Sequence, residues 1–225
     1  MILKKIITLI FVTLFFSNAY SITVPKEREA LFDILRKNKI IGSYEIKFNE
    51  SNDRLEINTI ISIEVKVLFI PAYKFFHEST EIWQGNNLVK INGYTDFEDE
   101  REYYIEGYDK DQFFHATGMD GSLKLNSEIL SSNFWNIESL KENELFDTQK
   151  GIVRKIKVED LGEEEIVINE KKVKCKKFTL NATSNPKDKG PFPEYTLWYD
   201  ENNELVRFKF KNWKDKKIID TIRRN

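Results

Sequence analysis

Residues 55–69 alternate in polarity without losing phase. The odd positions are Leu55, Ile57, Thr59, Ile61, Ile63, Val65, Val67 and Phe69, and the even ones include Glu56, Asn58, Ser62, Glu64 and Lys66. A helix would scatter these apolar residues around its axis, whereas a strand places them all on one face. At ~3.3 Å per residue such a strand is roughly 50 Å long, far beyond an ordinary strand, and requires a wide, curved sheet.

The same period recurs along the chain. Ile40, Tyr44, Ile46 and Phe48 fall on one face, with Ser43, Glu45 and Lys47 on the other. Further strands are expected at 74–84, 87–95, 101–108, 112–118 and 121–125. After a break they resume at 151–159, 164–168, 171–182, 195–199, 204–211 and 217–223. The connectors carry turn residues, among them Gly85-Asn86-Asn87, Asp120-Gly121, Asn169-Glu170 and Asn202-Asn203. Short turns pair neighbouring strands antiparallel, because a parallel pair needs a crossover of about a dozen residues. The expected fold is mainly β: a large antiparallel meander of ten to twelve strands, half-open as a barrel so that its edges are managed.

Two stretches leave this pattern. Residues 127–145 space Ile129, Leu130, Phe134, Trp135, Ile137 and Leu140 like short helical turns, and are expected to form a plug on the concave face. Residues 184–194 hold Pro186, Gly190, Pro191 and Pro193, which marks a surface loop, since proline cannot donate a ladder hydrogen bond.

The first segment reads as an address. Lys4 and Lys5 precede an apolar run from Ile6 to Phe16, and Ala19 and Ser21 supply the small residues of a cleavage site. The run is about half the ~20 residues a spanning helix needs. Residues 1–21 are therefore expected to be a secretory signal cleaved after Ser21, with 22–225 forming one domain in the periplasm. Lys+Arg of 35 against Asp+Glu of 37 gives a charge of −2, which argues against a binder driven by phosphate neutralisation. One cysteine, Cys175, excludes a disulfide framework, and with two histidines it leaves no basis for a transition-metal site. No cofactor or metal is expected, nor is a nucleic-acid partner or a transmembrane span.

Several spaced motifs carry a resemblance. They are Gly42-Ser43-Tyr44, His77 with Glu81-Ile82-Trp83, and Asn133-Phe134-Trp135-Asn136. Next come Leu145-Phe146-Asp147-Thr148-Gln149-Lys150-Gly151, then Leu197-Trp198-Tyr199-Asp200 with Leu205-Val206. Across most of residues 30–224 the chain resembles an uncharacterised family of exported proteobacterial proteins, a domain of unknown function. That family is similar in fold to the half-barrels of periplasmic lipoprotein carriers. The resemblance implies an incomplete antiparallel barrel whose concave apolar face can hold acyl chains.

The function expected is binding of a lipophilic ligand, a lipid or acyl chain, without covalent chemistry. Trp83, Phe134, Trp135, Trp198 and Tyr199 are the aromatic candidates for its site, and His77 and Glu81 the polar ones. As strand neighbours four apart, His77 and Glu81 share a face but lie about 13 Å from each other. One alternative is an envelope interaction protein whose barrel is filled by side chains. The other is a hydrolase or lyase using Asp147, Glu81 and His77, which requires the three to converge. Asp147 and Thr148 also read as turn formers, Cys175 as a small buried residue, and the apolar tip at 68–73 as an exposed rim.

Overall fold

The computed structural model describes residues 22–67, 70–97 and 101–224. The expected signal at 1–21 lies outside these residues, as do Leu68 and Phe69 of the expected rim. Among the described residues, fourteen strands form one antiparallel sheet. The first eight are β1 (Glu29–Arg36), β2 (Lys39–Ser51), β3 (Arg54–Val67), β4 (Ile70–Gln84), β5 (Asn87–Phe97), β6 (Glu102–Lys110), β7 (Phe113–Gly118) and β8 (Gly121–Asn126). The remaining six are β9 (Glu144–Asp147), β10 (Ile152–Ile168), β11 (Lys171–Ala182), β12 (Tyr195–Tyr199), β13 (Leu205–Lys211) and β14 (Ile218–Arg223).

Two meanders make up the sheet. One runs from β8 back to β1, the other from β14 back to β9, and they join where β1 pairs with β14. The sheet is not closed, and β8 and β9 are its edges. The mainly-β, half-open barrel read from the alternation is the fold observed, with more strands than expected. Two local differences act on the count in opposite directions. The gap expected between 159 and 164 is a β-bulge inside one long strand, β10, where Asp160 pairs with Phe178 and Glu163 with Lys176. The short edge strand β9 was hidden at the end of the irregular segment.

A second bulge corrects a facing. Ile34 pairs with Gly42 and Leu35 with Ile40, so Ile41 is the extra residue. The phase of β2 flips there, and Ile40 is 64% exposed rather than on the core face with Tyr44, Ile46 and Phe48.

The segment linking β8 to β9 packs inside the curve of the sheet. It contains a 3-10 helix at Ile137–Lys141, capped by Asn136, whose side-chain oxygen accepts from the Glu138 amide at 3.1 Å. Trp135 stands edge-on to Phe48 and Trp83, with centroids 5.6 and 5.5 Å apart. Ile129, Leu130, Phe134 and Leu140 are buried in the same cluster. The Tyr199 hydroxyl donates to the Phe134 carbonyl at 2.7 Å, tying this plug to β12.

The two open edges meet at one corner. The Met119 amide donates to the Lys150 carbonyl at 2.7 Å. Gly118 and Gly151 come so close that a Cβ on Gly118 would overlap the Gly151 backbone, and Gly151 has φ +64°.

Candidate functional site

Past the plug, the concave face leaves space. A cavity of about 670 Å³ lies against β1 to β4 and β12 to β14. Its walls include Ile34, Ile41, Ile61, Ile63, Val65, Phe75, Phe134, Tyr195, Phe208 and Phe210. Alternation supplies the apolar wall on β3, and the bulge in β2 turns Ile41 inward to join it. Loops 184–194 and 212–217 complete the enclosure through Phe192, Pro193 and Trp213. Such a volume is that of a small-molecule site.

The polar end of the cavity is built from β9, β10 and the proline-rich loop. Arg154 Nε donates to Asp147 Oδ2 at 2.6 Å, and its Nη1 and Nη2 reach Asp188 at 2.9 and 3.2 Å. Lys150 Nζ donates to Asp188 Oδ1 at 3.1 Å. Two cations and two carboxylates, all with side chains 8% exposed or less, thus neutralise one another. Burial works against the charge on Asp188, but Arg154 and Lys150 outweigh it and hold the carboxyl below its ordinary range. Burial likewise opposes the charge on Arg154, and Asp147 and Asp188 more than restore it. The Arg154 guanidinium also lies 4.7 Å from the Phe192 ring centroid, which fixes the loop over the cavity. On β14, Thr221 lines the cavity, and its buried Oγ1 has no hydrogen-bond partner among the described residues.

Asp147 is also a turn former, as its sequence position predicted: Oδ1 accepts from the amides of Gln149 and Lys150 at 2.9 and 3.3 Å. The pairing with Arg154 was not read from sequence. A signal existed, because Arg154 falls in phase with the inward Ile152, Ile156 and Val158. A charged residue on an apolar face needs a buried counter-ion.

The other polar candidates lie beneath the plug. Glu81 is fully buried. It accepts from Trp83 Nε1 at 2.7 Å, from Ser131 Oγ at 3.2 Å and from the Asn133 side-chain amide. Burial raises its pKa to about 7, even against those donors. His77, also fully buried, shares its Nδ1 with Thr95 Oγ1 at 2.8 Å, while its Nε2 has no partner among the described residues. Burial lowers its pKa to about 4. Thr59 and Ser79, a directly paired couple on β3 and β4, each bury a hydroxyl without a hydrogen-bond partner among the described residues.

Of the seven residues expected to touch a ligand, Phe134 lines the cavity. Trp135, in the plug, is packed core together with Trp83 and Tyr199, and His77 and Glu81 are fully buried as well. Trp198 lies elsewhere, because β12 alternates and Trp198 is out of phase with the inward Tyr195 and Leu197. It packs in a separate cluster with Ile166, Ile168, Cys175 and Val206, ringed by Lys177, Arg207 and Lys209 at 5.5 to 5.7 Å from its ring centroid. Cys175 is buried there, and burial raises its thiol pKa to about 11. The cavity aromatics Phe192 and Trp213 were not singled out from sequence, since nothing in it shows which loops fold over the concave face.

The three residues of the hydrolytic reading do not form a relay. Each of His77, Glu81 and Asp147 is hydrogen-bonded to other partners, and no hydrogen bond joins any two of them. Among the described residues, no group of three His, Cys, Asp or Glu is placed to hold a metal ion. No helix among them is long and apolar enough to cross a membrane.

Comparison with curated proteins finds no match. Among solved structures, the chain is similar to a beta-barrel-like protein of the domain of unknown function DUF1849 from Brucella abortus. The identity is 13%, with 87% of this chain and 94% of that one covered and a TM-score of 0.61, so the likeness is one of fold. A candidate lipoprotein from Parabacteroides distasonis aligns over 91% of this chain and 98% of its own at 11% identity, with a TM-score of 0.38. A family model spans residues 32–219, which takes in every strand except the start of β1 and most of β14, and the chain belongs to that family, a domain of unknown function, DUF6134.

Proposed function

We propose that this protein binds a lipophilic small molecule, a lipid or acyl chain, in the cavity on the concave face of its half-barrel. The observation that carries the reading is the cavity itself: about 670 Å³, with walls dominated by aliphatic and aromatic side chains. Binding would come from apolar burial, at ~0.8 kcal/mol per methylene. The charged cluster at its polar end is internally neutral, so it presents dipoles and not a net charge to the ligand. Residues 1–21 act as a secretory signal in this reading, and 22–225 work as one domain in the periplasm. The positive Lys4 and Lys5, the short apolar run and the small residues Ala19 and Ser21 support that placement.

Native mass spectrometry of the protein purified from the periplasm, followed by lipid extraction, tests this. A stoichiometric lipid that dissociates on activation is the expected result. A clean apo mass, together with no uptake of added fatty acid or phospholipid, would overturn it and favour an envelope interaction protein.

A further inference from the structure

We propose that the rim of the cavity is a docking surface for an anionic lipid bilayer, formed by loops 184–194 and 212–217. The exposed residues among those lining the cavity are Lys189, Pro191, Trp213, Lys214 and Asp215, all from these two loops. The cavity therefore opens there. The second loop is a tight hairpin: the Asn212 amide donates to the Lys217 carbonyl at 2.8 Å and the Lys216 amide donates to the Asn212 carbonyl at 2.9 Å. It carries Lys214, Lys216 and Lys217, all exposed, and the first loop adds Lys187 and Lys189.

The carboxylates nearby are mostly spent. Asp215 is paired with Arg36, and Asp188 is buried between Arg154 and Lys150. Asp120 faces Lys187 at 2.8 Å, which leaves Glu194 as the other acidic residue of the loops. A chain of net charge −2 thus concentrates positive charge around one opening.

Trp213 gives the rim its second property. It is 41% exposed, whereas Trp83, Trp135 and Trp198 are buried at 1%, 4% and 6%. Its indole packs on Gly190, where any side chain would collide with the ring, so the two loops hold it in place and leave part of it in solvent. An indole with an apolar body and a polar N–H, flanked by lysines, suits the headgroup region of a bilayer. Near an anionic surface each lysine strengthens binding about fivefold. An acidic protein would satisfy the lysines, but it gives no reason for an apolar cavity to open between them. The proposal goes beyond the ligand reading and does not depend on what the cavity holds.

Sedimentation with vesicles of phosphatidylcholine alone, or with about a third phosphatidylglycerol, tests it. The protein should pellet with the anionic vesicles at low salt and be released by 0.5 M NaCl. Lys216→Gln/Lys217→Gln should lower the partition coefficient about 25-fold. Parent and variants differ only at these two lysines, so the difference reads the rim alone. Brominated anionic lipid should quench the tryptophan emission of the parent, and Trp213→Phe should remove that quenching. Equal binding to both vesicle types with no effect of the lysine changes would overturn the proposal. So would failure to pellet with either, the result an acidic protein partner predicts. Uptake of a fluorescent fatty acid without vesicles, measured in parallel, separates this outcome from failure of the cavity reading.

Discussion

Arg154 and Asp147 form an ion pair 2.6 Å long, with side chains only 4% and 7% exposed. The pair joins the turn after β9 to the inward face of β10. Through Asp188, which the same guanidinium holds, it extends to the proline-rich loop over the cavity. Breaking a buried pair leaves an uncompensated charge, which costs about 3–5 kcal/mol. Arg154→Met should lose that much in urea unfolding. The Asn185 amide, now bonded to Asp188 Oδ2 at 2.7 Å, should exchange faster. A loss under about 1 kcal/mol would show that the pair behaves as if solvated.

Glu81 and His77 make opposing contributions to pH dependence. The Glu81 carboxyl is raised to about 7 in the fold, so the unfolded chain releases that proton first and stability falls from about pH 4.5 to 7. His77 is lowered to about 4, so the unfolded chain binds that proton first and stability rises from about pH 4 to 6.5. The two windows overlap, and these contributions should cancel between about pH 4.5 and 6.5. Glu81→Gln should uncover the histidine and make stability rise by about 3 kcal/mol across that range. His77→Gln should do the reverse. Chemical denaturation at several pH values checks both slopes, and parallel slopes in the two variants would contradict this assignment.

The contact of Gly118 with Gly151 predicts a steric effect. Gly118→Ala places a methyl against backbone at the corner where the sheet edges meet. Overpacking of this kind costs about 1–3 kcal/mol. The Met119 amide, which donates to Lys150 O, should lose protection in hydrogen exchange. Unchanged protection would mean that the corner moves apart freely.

Ligand uptake should separate two aromatics that look alike in sequence. Phe134 lines the cavity, whereas Trp198 belongs to the separate cluster. Phe134→Ala should reduce the bound lipid fraction several-fold at equal protein folding, and Trp198→Phe should leave it unchanged. Native mass spectra of both variants give the comparison directly.

The alternation of polarity determined most of the fold by itself. A strand has a side-chain period of two, so the phase of Leu55, Ile57, Ile61 and Ile63 decided both the element and its inward face. Turn residues at short spacing decided the antiparallel order, and proline decided the 184–194 loop. What periodicity cannot carry was settled by contacts between distant residues. Bulges at Ile41 and between Asp160 and Glu163 shift phase, because an extra residue is absorbed against a partner strand that local sequence does not name. Glu81 is buried because Ser131 and Asn133, fifty residues on, bring donors to it. Arg154 can sit on an apolar face because Asp188 arrives from a loop 34 residues away. Aromatic residues are equally apolar in a core or a cavity wall, so only the tertiary packing separated Trp83 and Trp135, packed on each other where plug meets sheet, from Phe134 and Tyr195 beside open space.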